Sequence, residues 1–159
     1  MSNADQQIAP IIYIDADACP VKDEVLKVAE RHGLVVTLVS NGGMRPSRDP
    51  MIRNVIVPKN ADAADDWIVE AAVKNDIVIT ADILLAERCV SNFVRVIGPT
   101  GREFTQESIG MQVAMRDLNQ SLRESGEIKG YNKAFSAKDR SNFLQTLEAS
   151  VRLAKAQVS

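Results

Sequence analysis

Histidine, cysteine and aromatic side chains are scarce in this chain: one His, two Cys, four Phe, two Tyr and one Trp among 159 residues. Cys19 and Cys89 form no C-x-x-C pair, which excludes a zinc ribbon and a disulfide framework. A reducing cytoplasm is the expected compartment. The lone histidine, His32, sits beside Gly33 at the end of a helix-like stretch, where a C-terminal cap is its expected role. Cys19 precedes Pro20 near a helix start, where the dipole could lower a thiol pKa. Without a histidine beside it, it reads as a small turn residue, and Ser-His-Asp or Cys-His chemistry is disfavoured. A strong charge of either sign is also missing: the formal net charge is −2. The overall basic field of an obvious nucleic-acid binder is therefore absent, and any such contact must be local or metal-mediated. No segment approaches the ~18 consecutive apolar residues of a membrane span. Residues 1–10 carry no basic stretch followed by an apolar core, so they read as a tail and neither secretion nor membrane association is expected. Gly98-Pro99-Thr100-Gly101 is a turn and not a P-loop, because no Gly-Lys-Ser/Thr follows it.

What is present is the composition of one globular domain, 45% hydrophobic and 25% charged, expected over residues 11–155. Ile11-Ile12-Tyr13-Ile14 is a β-prone run ending at Asp15, and Pro20 opens a stretch whose Val21, Val25, Leu26, Val28 and Ala29 follow helical spacing. Leu34 to Val39 is a second β run, and Val55-Ile56-Val57 a third. Ala61 to Lys74 reads as an alanine-rich helix, Ile77 to Thr80 as a strand, Ile83 to Val90 as a helix and Phe93 to Ile97 as a fifth strand. Continuous apolar strands alternating with helices predict a mainly parallel five-stranded sheet covered on both faces. Beyond Gly98-Pro99, a helix is expected over Ile109 to Leu122. After a link from Gly126 to Phe135, the Ser136/Asp139 pair suggests a capping box opening a last helix through Leu153. These form a C-terminal helical extension of the same domain.

All strands of a parallel sheet end at one edge, where ligands of open α/β sheets bind. Asp15 follows the first strand and Asp82 the fourth, so their carboxylates converge if those strands are neighbours. Asp17 lies in the turn after Asp15. Asp62-Ala63-Ala64-Asp65-Asp66 opens the helix before the fourth strand. Its expected buried stripe is Ala61, Ala64, Ile68, Ala71 and Ala72. Asp65, three residues before Ile68, shares that side with Asp62, whereas Asp66 is rotated by about 100°. The order of candidates is therefore Asp65, Asp62, Asp66. Singly, each aspartate is best explained as a cap or dipole partner. Together they would repel one another, and a divalent cation would relieve the repulsion. Oxygen-only ligands suit Mg²⁺ or Mn²⁺, which can activate water and neutralise a phosphodiester.

The stretches Asp15-Ala-Asp-Ala-Cys-Pro20, Asp62-Ala-Ala-Asp-Asp66, Ile79-Thr-Ala-Asp82-Ile-Leu-Leu-Ala86 and Phe135-Ser-Ala-Lys-Asp-Arg140 resemble, in order, signature blocks of the bacterial YaiI/YqxD family. The resemblance runs from about residue 11 to 150. It implies a three-layer PIN-like, Rossmannoid α/β domain and Mg²⁺- or Mn²⁺-dependent cleavage of RNA or single-stranded nucleic acid. In PIN and flap nucleases an aspartate follows the first strand, an acidic residue stands on a central helix, and others follow the fourth strand. Asp15, Asp65 in its Asp-x-x-Ile68 frame and Asp82 in Thr-x-Asp match those positions. Many PIN nucleases have a further acid soon after the last of these, where this chain has Ile83, Leu84 and Leu85. Asp17 or Asp62 would have to substitute. The implied catalytic set is Asp15, Asp17, Asp65 and Asp82, with Asp62 added among the metal ligands.

Two other readings stay open. Asp15-x-Asp17 after one strand and Ser40-Asn41 after the next also resemble the opening motifs of haloacid-dehalogenase-like phosphatases. There Asp15 would be the nucleophile, Asp17 an acid/base, Ser40 a phosphate ligand and Lys59 the cation. A catalytically silent PIN-like binding module is the other. Ser40, Asn41, Arg45, Arg48 and Lys59 are the candidate nucleic-acid contacts, with Lys22 and Arg53 near the same route. Scattered solvated charge is the ordinary explanation for such residues, and Trp67 and Tyr131 are too isolated to form a base-stacking platform.

Overall fold

Residues 9–42, 45–60, 62–125 and 134–157 are described by the computed structural model. The apolar runs form the strands β1 (Ile12–Asp15), β2 (Val36–Ser40), β3 (Ile52–Ile56), β4 (Ile77–Ile79), β5 (Arg95–Ile97) and β6 (Glu103–Phe104). Their order in the sheet is β3-β2-β1-β4-β5-β6. The pairs from β3 through β5 are all parallel, and β6 pairs antiparallel with β5. The sheet therefore has six strands where five were expected. The sixth is two residues long and carries one buried side chain, Phe104, too short to leave a periodic signal.

The helices are α1 (Lys22–His32), α2 (Ala63–Ala71), α3 (Ile83–Ser91), α4 (Ile109–Glu124) and α5 (Ala137–Gln157), with a 3-10 turn over Ala16–Ala18. Side chains alternate across each strand, which divides the core into two layers. Ile12, Ile14, Val36, Leu38, Ile77, Ile79 and Ile97 pack with Val25 and Val28 of α1 and Phe143, Leu147 and Val151 of α5. Tyr13, Val39, Val78 and Val96 pack on the other face with Ile68 of α2, Leu85, Ala86 and Cys89 of α3, and Ile109 at the start of α4. The result is helices, sheet, helices, as continuous apolar strands require.

Local chemistry sets the helix ends. Gly33 adopts φ +68° and caps α1, its amide donating to the Ala29 and Glu30 carbonyls. His32 is thus the last helical residue and not the cap; its Nε2 lies 2.9 Å from the Glu148 carboxylate of α5. The expected capping box is present: the Asp139 amide donates to Ser136 Oγ at 3.1 Å and the Ser136 amide to Asp139 Oδ2 at 3.0 Å. Pro20 precedes α1, whose N-cap is Val21. The helix expected from Ala61 is shorter at both ends, and Ala61 itself, Tyr131 and most of the Gly126 to Phe135 link lie outside the described residues. Among the described residues no helix is long and apolar enough to cross a membrane.

Candidate active site

The chain runs outward from β1 through β2 to β3, then returns to place β4 on the other side of β1. This reversal is a topological switch point, where the connections leaving adjacent strands diverge and open a crevice at their carboxyl ends. Asp15 is the last residue of β1, and β4 ends at Ile79 beside it, leading through Thr80 and Ala81 to Asp82. The two strands are neighbours, so the two aspartates reach the same crevice. It is an open cleft of about 570 Å³ whose lining includes Asp15, Asp17, Cys19, Thr80, Asp82 and Arg116.

Each carboxylate is held differently. Asp15 is half-buried and accepts a hydrogen bond from the Thr80 hydroxyl at 3.1 Å. Thr80 Oγ1 in turn accepts from the Asp82 amide at 3.0 Å, so one threonine ties both strand ends together. Asp82 is the N-cap of α3, its Oδ1 accepting from the Leu84 amide at 2.9 Å and the Leu85 amide at 3.2 Å. Capping and presence in the cleft are therefore joint properties of this residue. Asp17, more exposed, accepts from the Asn41 amide at 3.1 and 3.2 Å through its two oxygens, which joins the turn after β1 to the end of β2.

Asp65, on the first turn of α2, is half-buried and does not itself line the cleft. Burial, then repulsion from Asp82 and Asp15, pushes its pKa up to about 6, with Arg88 opposing and Asp62 adding to the rise. Asp15 is likewise raised, chiefly by desolvation and further by Asp82 and Asp17, against the Thr80 hydrogen bond. Four aspartates thus share one electrostatic neighbourhood, and Asp62 touches its edge. Asp62 is exposed at the N-cap position of α2 and makes no capping bond. Asp66 points its charge elsewhere, pairing with Arg88 at 2.9 Å.

The donor chemistry suits a hard divalent cation. The spacing is not that of a preformed cage: as placed, no three His, Cys, Asp or Glu side chains among the described residues are grouped to hold a metal ion. Cys19 lines the cleft, but burial pushes its thiol above the usual range, which disfavours a thiolate nucleophile.

The basic candidates are more dispersed. Ser40 is buried at the end of β2, where its Oγ accepts from the Gly42 amide at 3.3 Å. Asn41 acts through its backbone on Asp17. Arg45, Arg48 and Lys59 are exposed and line no part of the cleft. Arg48 directly precedes Asp49, whose carbonyl accepts from the Ile52 amide at the amino end of β3, the opposite edge of the sheet. Arg53 donates to Thr37 Oγ1 at 3.2 Å within the sheet. Lys22, at the start of α1, also stays out of the cleft lining. Trp67 packs against Tyr13 with ring centroids 6.2 Å apart, as part of the core.

Arg116 of α4 was not among the residues singled out from sequence. Ile109 is buried, Gln112 and Val113 are half-buried, and Arg116 follows at helical spacing on that inward face. An arginine continuing an apolar stripe is the signal that would have found it.

Fold and site together define an α/β domain with an acidic cleft at the switch point of a mostly parallel sheet. The model of the uncharacterised YaiI/YqxD family matches residues 13–153, and the chain belongs to that family. A UPF0178 protein of Mesorhizobium japonicum is 68% identical over 92% of this chain and 94% of its own length. One of Agrobacterium fabrum is 65% identical, covering 92% and 95% respectively. One of Rhodospirillum rubrum is 52% identical, covering 91% and 97%. No solved structure matches the chain.

Proposed function

We propose that this is a PIN-like, divalent-metal-dependent phosphodiesterase acting on RNA or single-stranded nucleic acid, with Asp15, Asp17, Asp65 and Asp82 as its acidic machinery. The observation that carries the reading is the meeting of Asp15 and Asp82 in the cleft at the switch point, with Asp65 behind it and raised to about 6 by burial and by their charges. Mg²⁺ commonly binds through one or two carboxylates plus substrate phosphate oxygens, without an all-protein cage. An acidic cleft without a preformed three-ligand group is compatible with that mode.

In this scheme Asp15 and Asp82 hold Mg²⁺ or Mn²⁺, Asp15 kept in place by Thr80 and Asp82 by its cap on α3. The cation, when bound, supplies charge neutralisation at the phosphodiester and acidifies a water. Asp17, fixed by the Asn41 amide, borders the same cleft and orders its outer water. Asp65, raised to about 6 and set behind the cleft lining, would take up the proton of the attacking water through one intervening water. The phosphatase alternative needs a lysine at the nucleophile, and among the described residues none lines the cleft.

The test is calorimetric titration of Mn²⁺ into wild type, Asp15→Asn and Asp82→Asn, each with and without a phosphorothioate oligouridylate that resists cleavage. The expected result is weak binding alone, strengthened by the oligonucleotide, and lost in both variants. Oligonucleotide binding that is indifferent to Mn²⁺ and to both substitutions would replace the nuclease by a silent binding module.

A further inference from the structure

An acidic cleft repels the phosphodiester it is proposed to cleave, so something besides the aspartates must hold the anion. Among the described residues lining the cleft, Arg116 is the cation. It comes from α4, which packs on α3, the helix capped by Asp82. The guanidinium is not consumed in neutralising the site. Its ion pair is with its own sequence neighbour Asp117, at 3.1 Å, with the two side chains 37% and 64% exposed. Exposed pairs of this kind hold weakly and are readily exchanged for a better partner. The charge that eases Asp65 is Arg88, and no ion pair joins Arg116 to Asp15, Asp17 or Asp82 among the described residues.

We infer that Arg116 is the phosphate anchor of this cleft: its planar fork of N–H donors takes a non-bridging phosphate oxygen of a single strand lying between α4 and the carboxyl edge of the sheet. Arginine suits this better than lysine because the fork matches two oxygens at once. A cleft of about 570 Å³ is in the range of small-ligand sites. That is room for a nucleotide or two of an unpaired strand. The inference rests on the phosphodiesterase reading for the identity of the anion, but it can fail independently.

The experiment uses a fluorescein-labelled oligouridylate with wild type, Arg116→Gln, Arg116→Lys and, as a control on the same helix, Arg123→Gln. Binding is followed by anisotropy in Ca²⁺ across a salt series, and cleavage is followed in Mn²⁺. Arg116→Gln should keep the wild-type melting temperature, since it breaks one exposed ion pair. It should weaken binding about tenfold or more and reduce the magnitude of the salt slope by about one. Arg116→Lys should recover part of the affinity, and Arg123→Gln should match wild type. Equal affinity and equal salt slope in Arg116→Gln and wild type would overturn the inference, as would the absence of oligonucleotide binding by wild type. Arg116-dependent binding without cleavage would sustain the anchor and remove the hydrolytic reading.

Discussion

Asp65→Asn should stabilise the metal-free protein while abolishing its proposed activity. The wild-type carboxyl titrates near 3.8 when unfolded and at about 6 in the fold, a rise caused by burial and by Asp82 and Asp15. Between those pH values the folded chain binds more protons than the unfolded one, so stability falls as pH rises through the window. A shift of about two units corresponds to at most about 3 kcal/mol. Solvent screening of this half-exposed side chain brings the expected gain down to about 1–2 kcal/mol. Asparagine retains the shape and polarity of the side chain without its charge. The gain should therefore be nil near pH 4, complete above about pH 7, and visible as a higher urea midpoint at unchanged slope. Saturating Mn²⁺ with oligonucleotide should narrow it, because the bound state favours the wild-type carboxylate. A variant that is less stable than wild type at pH 8, or equally shifted at pH 4 and pH 8, would refute the reasoning.

Asp82→Ala removes the cap of α3 as well as a cleft carboxylate. It should lower stability by about 1 kcal/mol, whereas Asp82→Asn keeps the cap and should lose only Mn²⁺-dependent behaviour, as urea melts and calorimetry would show. Asp76 is 5% exposed and accepts from the Ile11 and Val73 amides, both at 3.0 Å. Asp76→Ala leaves those amides without an acceptor and should cost about 2 kcal/mol in chemical denaturation. Gly101 has φ +94°, and a β-carbon there would lie 2.7 Å from the Asn142 carbonyl carbon. Gly101→Ala should displace the β5–β6 turn from α5 and cost at least about 2 kcal/mol by thermal melting. Glu148 is held below its ordinary carboxylate range, first by the His32 hydrogen bond. Its stabilising contribution is present above the unfolded value of about 4.5 and lost as pH falls through the lower folded value. Glu148→Gln should flatten that acid limb in melts taken at and below the unfolded value of about 4.5.

The parts of the fold visible in sequence were those with a long one-dimensional signature. Buried parallel strands such as Ile77–Ile79 read as unbroken apolar runs, and α5 announced its start through Ser136 and Asp139. Edge structure was harder. Strand β3 begins at Ile52, but its exposed Arg53 and half-buried Asn54 do not read as strand, so only Val55 to Val57 stood out. The site divides in the same way. Asp15 and Asp82 were legible because parallel topology alone sends strand ends to one edge, and Asp65 because a helix has a fixed period. Asp76 went unnoticed: an aspartate before a strand has no local mark of receiving amides from two distant segments. Helical spacing could put Arg116 on the inward face of α4 but not at the cleft, since the approach of α4 to the strand ends is a tertiary fact.

The acidic cleft is also where local and global preferences diverge. Elsewhere among the described residues local and global preferences agree: apolar runs lie in the sheet, Gly33 closes α1, and Ser136 and Asp139 open α5. Among the described residues no buried side-chain polar atom lacks a hydrogen-bond partner. At the switch point, by contrast, carboxylates are drawn together where burial and mutual repulsion oppose their ionisation. Structural roles account for single members, as the cap of α3 does for Asp82 and the turn anchored on Asn41 does for Asp17. Asp65, on the first turn of α2 where the helix dipole favours a carboxylate, still has its pKa raised by burial and by Asp82 and Asp15, with Arg88 only partly opposing the rise. Under the proposed function, that cost is the one a bound cation or substrate would offset. For that reason Asp65, and not the more conspicuous strand-end aspartates, is the residue whose substitution most sharply separates function from architecture.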